Sequence, residues 1–111
     1  MSIMNKAEEL GDELLQTTEF KALKKAEKAM ADDEIASQIL HELQSKQKMA
    51  QMAQMNGKQV SPDLQNEIRG IQSRMQNNDK IKEYMEAQQN FNKVMQTVNQ
   101  VISNKLQDQQ E

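Results

Sequence analysis

Residues 79–106, "DKIKEYMEAQQNFNKVMQTVNQVISNKL", contain neither glycine nor proline and keep apolar residues at helical spacing. At ~1.5 Å per residue such a helix is ~42 Å long. A compact domain of about 100 residues has a radius of gyration of only ~13 Å, so this rod is too long for a small round bundle. Its apolar face comprises Tyr84, Phe91, Val94, Met95, Val98, Val101, Ile102 and Leu106. That face covers roughly 140° at ~100° per residue, wide enough to meet two neighbouring helices. A neighbour from another subunit fits that geometry.

The rest of the chain points the same way. Ala, Leu, Met, Gln, Glu and Lys dominate and are good helix formers. Val, Ile and Thr never alternate with polar residues over a strand's length. The expectation is therefore an all-α protein, an elongated helical bundle that forms a homo-oligomer, dimer or tetramer. It is read as a single helical domain over 1–111 with a tail frayed from about residue 107. Hydrophobic residues are 36% and aromatics 3% of the chain, a thin supply for a monomer core.

The helix boundaries follow from local signals. A first helix over about 3–16 carries the stripe Ile3, Ala7, Leu10 and Leu14. Thr17 or Thr18 can cap the next, whose apolar contacts are Phe20, Leu23 and Met30. The pattern leaves open whether these two form one rod. Asp32 is the expected N-cap of a third helix, with Asp33 and Glu34 in its first turn. That helix runs to about Asn56 with Gly57 just beyond it. Ser61 caps a fourth helix and Pro62 occupies its first position, with Leu64, Ile68, Ile71 and Met75 in a narrow stripe. Asn77-Asn78-Asp79 breaks and re-caps the chain.

The segment "KMAQMAQMNG" places Met49, Met52 and Met55 three apart on the third helix. With Ile35 at 0°, the residues Ile39, Leu43, Ala50 and Ala53 lie between roughly 0° and 80° and form the inward stripe. Met49 then falls near roughly −40°, Met52 near −100° and Met55 near −160°. The three sulfurs walk around the rod, so they do not converge on one copper ion. Met52 and Met55 are read as a partner surface, with Met49 nearer the core edge. A copper-handling protein using these thioethers ranks last.

Other chemistry is sparse. There is no cysteine, which excludes disulfides, thiolate zinc sites and Cys-ligated iron–sulfur clusters. His41 is the only histidine and lacks a companion nucleophile by spacing. No phosphate loop or Ser-centred nucleophile motif occurs. The expectation is no enzyme, no cofactor and no metal. Lys21, Lys24, Lys25 and Lys28 share one helix side and are the candidate RNA contact. Glu19 and Glu27 dilute that patch, no aromatic interleaves for base stacking, and the net charge is −3. The solvated-face reading is therefore preferred, and neither nucleic acid nor membrane is an expected partner. No stretch is apolar enough to span a bilayer and no signal-peptide region is present, so a soluble cytoplasmic protein is expected.

The order of segments resembles the YlbF/YmcA/YheA family of small helical bacterial proteins over about residues 5–104, closest to the YheA-like branch. The resemblance is carried by "AEELGDELLQTTEFKALKKAEKAMADDEIASQIL", by "LQSKQKMAQMAQMNGK" and by "NNDKIKEYMEAQQNFNKVMQTVNQVI". Tyr84, Ala87, Phe91, Met95, Val98 and Ile102 stand where that family places its apolar seam. The resemblance implies an all-helical, self-associating protein with no known catalytic residues. YlbF and YmcA are regulatory subunits that support competence, sporulation and biofilm formation and assist endoribonuclease Y in mRNA processing. Iron–sulfur binding by cysteine-bearing members does not carry over to a chain without cysteine. Taken together, the residues and the resemblance give an adaptor that works by protein–protein contact, with a regulatory or RNA-processing protein as a further partner.

Overall fold

The computed structural model describes residues 2–108. Five helices follow one another: α1 (Ser2–Leu15), α2 (Thr18–Asp32), α3 (Glu34–Met55), α4 (Pro62–Gln76) and α5 (Asp79–Gln107). No strand occurs among the described residues. The expected frayed tail lies mostly outside them, and Gln107 is still helical.

The boundaries are set by side chains that satisfy the orphan N–H and C=O groups of helix ends. α1 and α2 are separate helices. Thr17 closes α1 by donating its hydroxyl to the Leu14 carbonyl at 2.7 Å. It opens α2 by accepting from the Phe20 N–H at 3.1 Å. The cap of α3 differs from the expected Asp32: α2 continues through Asp32, and Asp33 accepts from the Ala36 N–H at 3.0 Å. Two adjacent aspartates can both cap, and the extended backbone of Asp33, φ −90° and ψ 118°, selects it.

α3 ends in a Schellman turn. The Lys58 N–H reaches the Ala53 carbonyl at 2.9 Å and the Gly57 N–H reaches Gln54 at 3.0 Å. Gly57 supplies the φ of +74° that the turn requires. Ser61 accepts from the Leu64 N–H at 3.1 Å, and Pro62 begins α4. Asn78 accepts from the Ile81 N–H at 3.1 Å and starts α5.

The chain divides into two compact units. One is Lys28–Glu83. Within it α3 and α4 are the helices whose backbones approach most closely. They run antiparallel, because Glu42 pairs with Arg74 while Lys46, further along α3, pairs with the earlier Glu67 at 2.7 Å. These pairs lie at the surface, with Lys46 half-buried, and contribute little beyond register. The interior holds Met30, Ala36, Ile39, Ile71 and Ile81, all buried.

The inward stripe of α3 differs from the expected one at its start. Ile35 is 65% exposed, while its neighbour Ala36 is fully buried. The neighbouring helices face the Ala36–Ile39 side, and alanine admits close approach where isoleucine would not fit. Leu43, Ala50 and Ala53 are half-buried, and so are Leu64, Ile68 and Met75 of α4.

The other unit comprises residues up to Glu27 together with Tyr84 onward. It is held by Phe20 and Phe91, whose rings lie 5.3 Å apart between centroids at 59°, a favourable tilted geometry. Leu14, Leu23 and Ala26 are half-buried. Ala87 is the buried hydrophobic residue here.

Candidate protein-interaction surfaces

A helix in water needs its apolar face covered. Much of the apolar surface of the unit that holds α1 and the end of α5 is not. In α1 no residue is buried, and Ile3, Met4, Leu10 and Leu15 are 77%, 72%, 36% and 49% exposed. The expected stripe of α1 is thus bare in the single chain except for half-buried Leu14.

The seam of α5 divides in two. Tyr84, Phe91, Val94, Met95 and Val98 are half-buried. Val101, Ile102 and Leu106, one to two turns further on, are 63%, 49% and 62% exposed. The helical period therefore continues past the point where the chain itself covers it. An open groove of about 430 Å³ runs beside Val94 and Val98, with Glu19, Asn90, Lys93 and Thr97 on its walls. A second, of about 480 Å³, is lined by Val101, Ile102 and Leu106 with Asn104, Lys105 and Asp108.

Met49, Met52 and Met55 are 51%, 54% and 78% exposed. The first two are equally open, so the expected placement of Met49 nearer the core edge does not hold. Replacing Met52 and Met55 together with Gln is expected to change folding stability by less than about 0.5 kcal/mol, as at other exposed sites. Thermal unfolding by circular dichroism measures this; a loss of several degrees would place the sulfurs in a core.

The lysines lie open on α2, Lys21, Lys24 and Lys25 in one unit and Lys28 at the start of the other. Lys24 is already engaged, 3.7 Å from Glu27 and 5.9 Å above the Phe20 ring. His41 is exposed. Among the described residues no three His, Asp or Glu side chains gather as metal ligands. No helix among them is long and apolar enough to cross a membrane.

Ile81, fully buried at the start of α5, and Ala36 on α3 lie in the interior outside the expected stripes. Ile81 continues the i, i+3 stripe one step upstream of Tyr84, a signal present in the sequence.

The family described as control of the competence regulator ComK, YlbF/YmcA, matches residues 3–107. The chain belongs to the YlbF/YmcA family. Relatives include a UPF0342 protein of Lactiplantibacillus plantarum, 32% identical over 96% of this chain and 94% of its own length. Another, from Desulfitobacterium hafniense, is 31% identical over 91% of this chain and 77% of its own length. Among solved structures, Bacillus subtilis RicA in complex with RicF superposes with a TM-score of 0.81 at 20% identity, covering 98% of this chain and 96% of that one. A protein of unknown function (DUF964) from Bacillus stearothermophilus gives 0.80 at 21% identity, covering 97% and 95%. The all-helical fold of this YlbF/YmcA-family chain, with its long last helix, is thus shared by both.

Proposed function

We propose that this YlbF/YmcA-family chain is a non-enzymatic adaptor of the cytoplasm. It associates with itself and docks a regulatory or RNA-processing protein through apolar helix faces. The observation that carries the reading is the uncovered hydrophobic surface of α1 and the end of α5, headed by Ile3, Met4, Val101 and Leu106. Surfaces of this kind mark contacts in water-borne proteins. The family's link to control of a competence regulator supports a regulatory role. The solved RicA–RicF complex supports a protein partner for this fold.

Sedimentation equilibrium at micromolar concentration tests self-association. The expected mass is two or four times the 12.8 kDa of one chain. A mass of 12.8 kDa at every concentration would defeat the reading. For the docking role, the Met52→Gln, Met55→Gln protein is expected to keep its helicity and lose capture of its partner from host extract. Unchanged capture would remove the methionine end from the proposed surface.

A further inference from the structure

We propose that two copies exchange their first helices: α1 of each chain lies along the last turns of α5 of the other. The inference rests on the self-association proposed above and names its interface.

Both halves of such a contact stand uncovered in a single chain. Ile3, Met4 and Leu10 are exposed on α1, and Val101, Ile102 and Leu106 on α5. Neither set covers the other in its own chain, so the cover would come from outside it. The lengths match. From Ile3 to Leu10 is about 11 Å of helix; Val101 to Leu106 is about 8 Å, and half-buried Val98 one turn before extends the strip to about 12 Å, at ~1.5 Å per residue. Val101, Ile102 and Leu106 form one open apolar face on the last turns of α5, with Asn104, Lys105 and Asp108 at its edges.

Charge selects the same pairing. α1 carries Glu8, Glu9, Asp12 and Glu13 against a single Lys6. Residues 91–107 of α5 carry Lys93 and Lys105 and no carboxylate, the first being Asp108 at the edge of the exposed face. An acidic amphipathic helix thus meets a basic apolar strip, and opposite potentials fix partner and orientation. One chain holds both complementary surfaces, so any two copies present both. A twofold axis then makes the contact twice without new chemistry.

The chain has no cysteine, so introduced thiols report cleanly. Leu10→Cys protein and Ile102→Cys protein are mixed, equilibrated and oxidised with glutathione disulfide, and the products are read by intact mass. The expected major product is the mixed 10–102 disulfide between chains, several-fold above either self-linked species. Sedimentation and far-UV circular dichroism of the same samples report mass and folding. An oligomer without the mixed link overturns the exchange and leaves self-association standing. A monomer overturns both. A double-cysteine chain that closes 10 to 102 within itself, with no mixed link between chains, also overturns the exchange.

A second pair of variants does not depend on disulfide geometry. Lys93→Glu with Lys105→Glu makes both surfaces of one protein acidic. Glu9→Lys with Glu13→Lys turns the α1 of another protein basic. At about 50 mM salt, where screening is weak, each is expected to dissociate at least tenfold more readily than the parent, and the mixture to reassemble. Two variants that self-associate as the parent does would overturn the pairing.

Discussion

Ile81→Ala is expected to remove about 2–5 kcal/mol of stability, the range for deleting a fully buried branched side chain. Ile81 is 0% exposed in the Lys28–Glu83 unit. Its backbone N–H is held by Asn78 at 3.1 Å, so the side chain has little freedom to leave the interior. Alanine is the better helix former. Any local effect on the first turn of α5 therefore opposes the loss, and a net decrease belongs to packing. With about 4–8 °C per kcal/mol for a domain of this size, the unfolding midpoint should fall by at least about 8 °C. Ile81→Val should cost about 0.5–1.5 kcal/mol. A shift under about 2 °C for the alanine variant would contradict the burial of this residue.

Phe91→Ala is the second large effect, and its size depends on protein concentration. Its ring stacks at a tilt on Phe20, a pairing worth about 0.5–1.5 kcal/mol. A double-mutant cycle with Phe20→Ala isolates that share. A fully buried phenylalanine costs about 3–5 kcal/mol on truncation, but Phe91 is only half-buried in one chain. A second copy that completes its cover brings the loss into that range at micromolar protein. Such a copy also makes the parent's midpoint rise with concentration, since binding to the folded state stabilises it. A midpoint independent of concentration, with a loss below about 2 kcal/mol, would show that no second copy covers the seam.

The parts of this fold legible in the sequence were those governed by one or two adjacent residues. Ser61-Pro62 and Gly57 announce their turns because few other residues satisfy those backbone positions. The break before α5 was readable for the same reason, from Asn77-Asn78-Asp79. Where two neighbours satisfy one rule, sequence does not choose, and Asp33 rather than Asp32 became the cap. Hydrophobicity alone starts the stripe on α3 at Ile35, because it weights isoleucine over alanine. Packing weights fit, and it buried Ala36 instead. A stripe that starts at the aromatic Tyr84 leaves out Ile81, three residues upstream on the same face. The candidate surfaces were legible only as a pattern. The apolar period of α5 runs unchanged from Tyr84 to Leu106, and its periodicity does not mark where the chain stops covering it.

The buried residues of both units are Met30, Ala36, Ile39, Ile71, Ile81 and Ala87, and no polar or charged side chain is buried among the described residues. Helices that meet through hydrocarbon and thioether alone lack the buried amide or charge that penalises a wrong register or a wrong companion. Methionine adapts to irregular gaps and adds to that tolerance. In the proposed pairing of α1 with α5, discrimination between self and a divergent sister chain then falls to charged residues such as Glu9, Glu13, Lys93 and Lys105. Under that pairing, changing a few surface charges would change companions while the interior stays as it is. Duplicated copies within one cell are therefore expected to form mixed assemblies until their rims diverge.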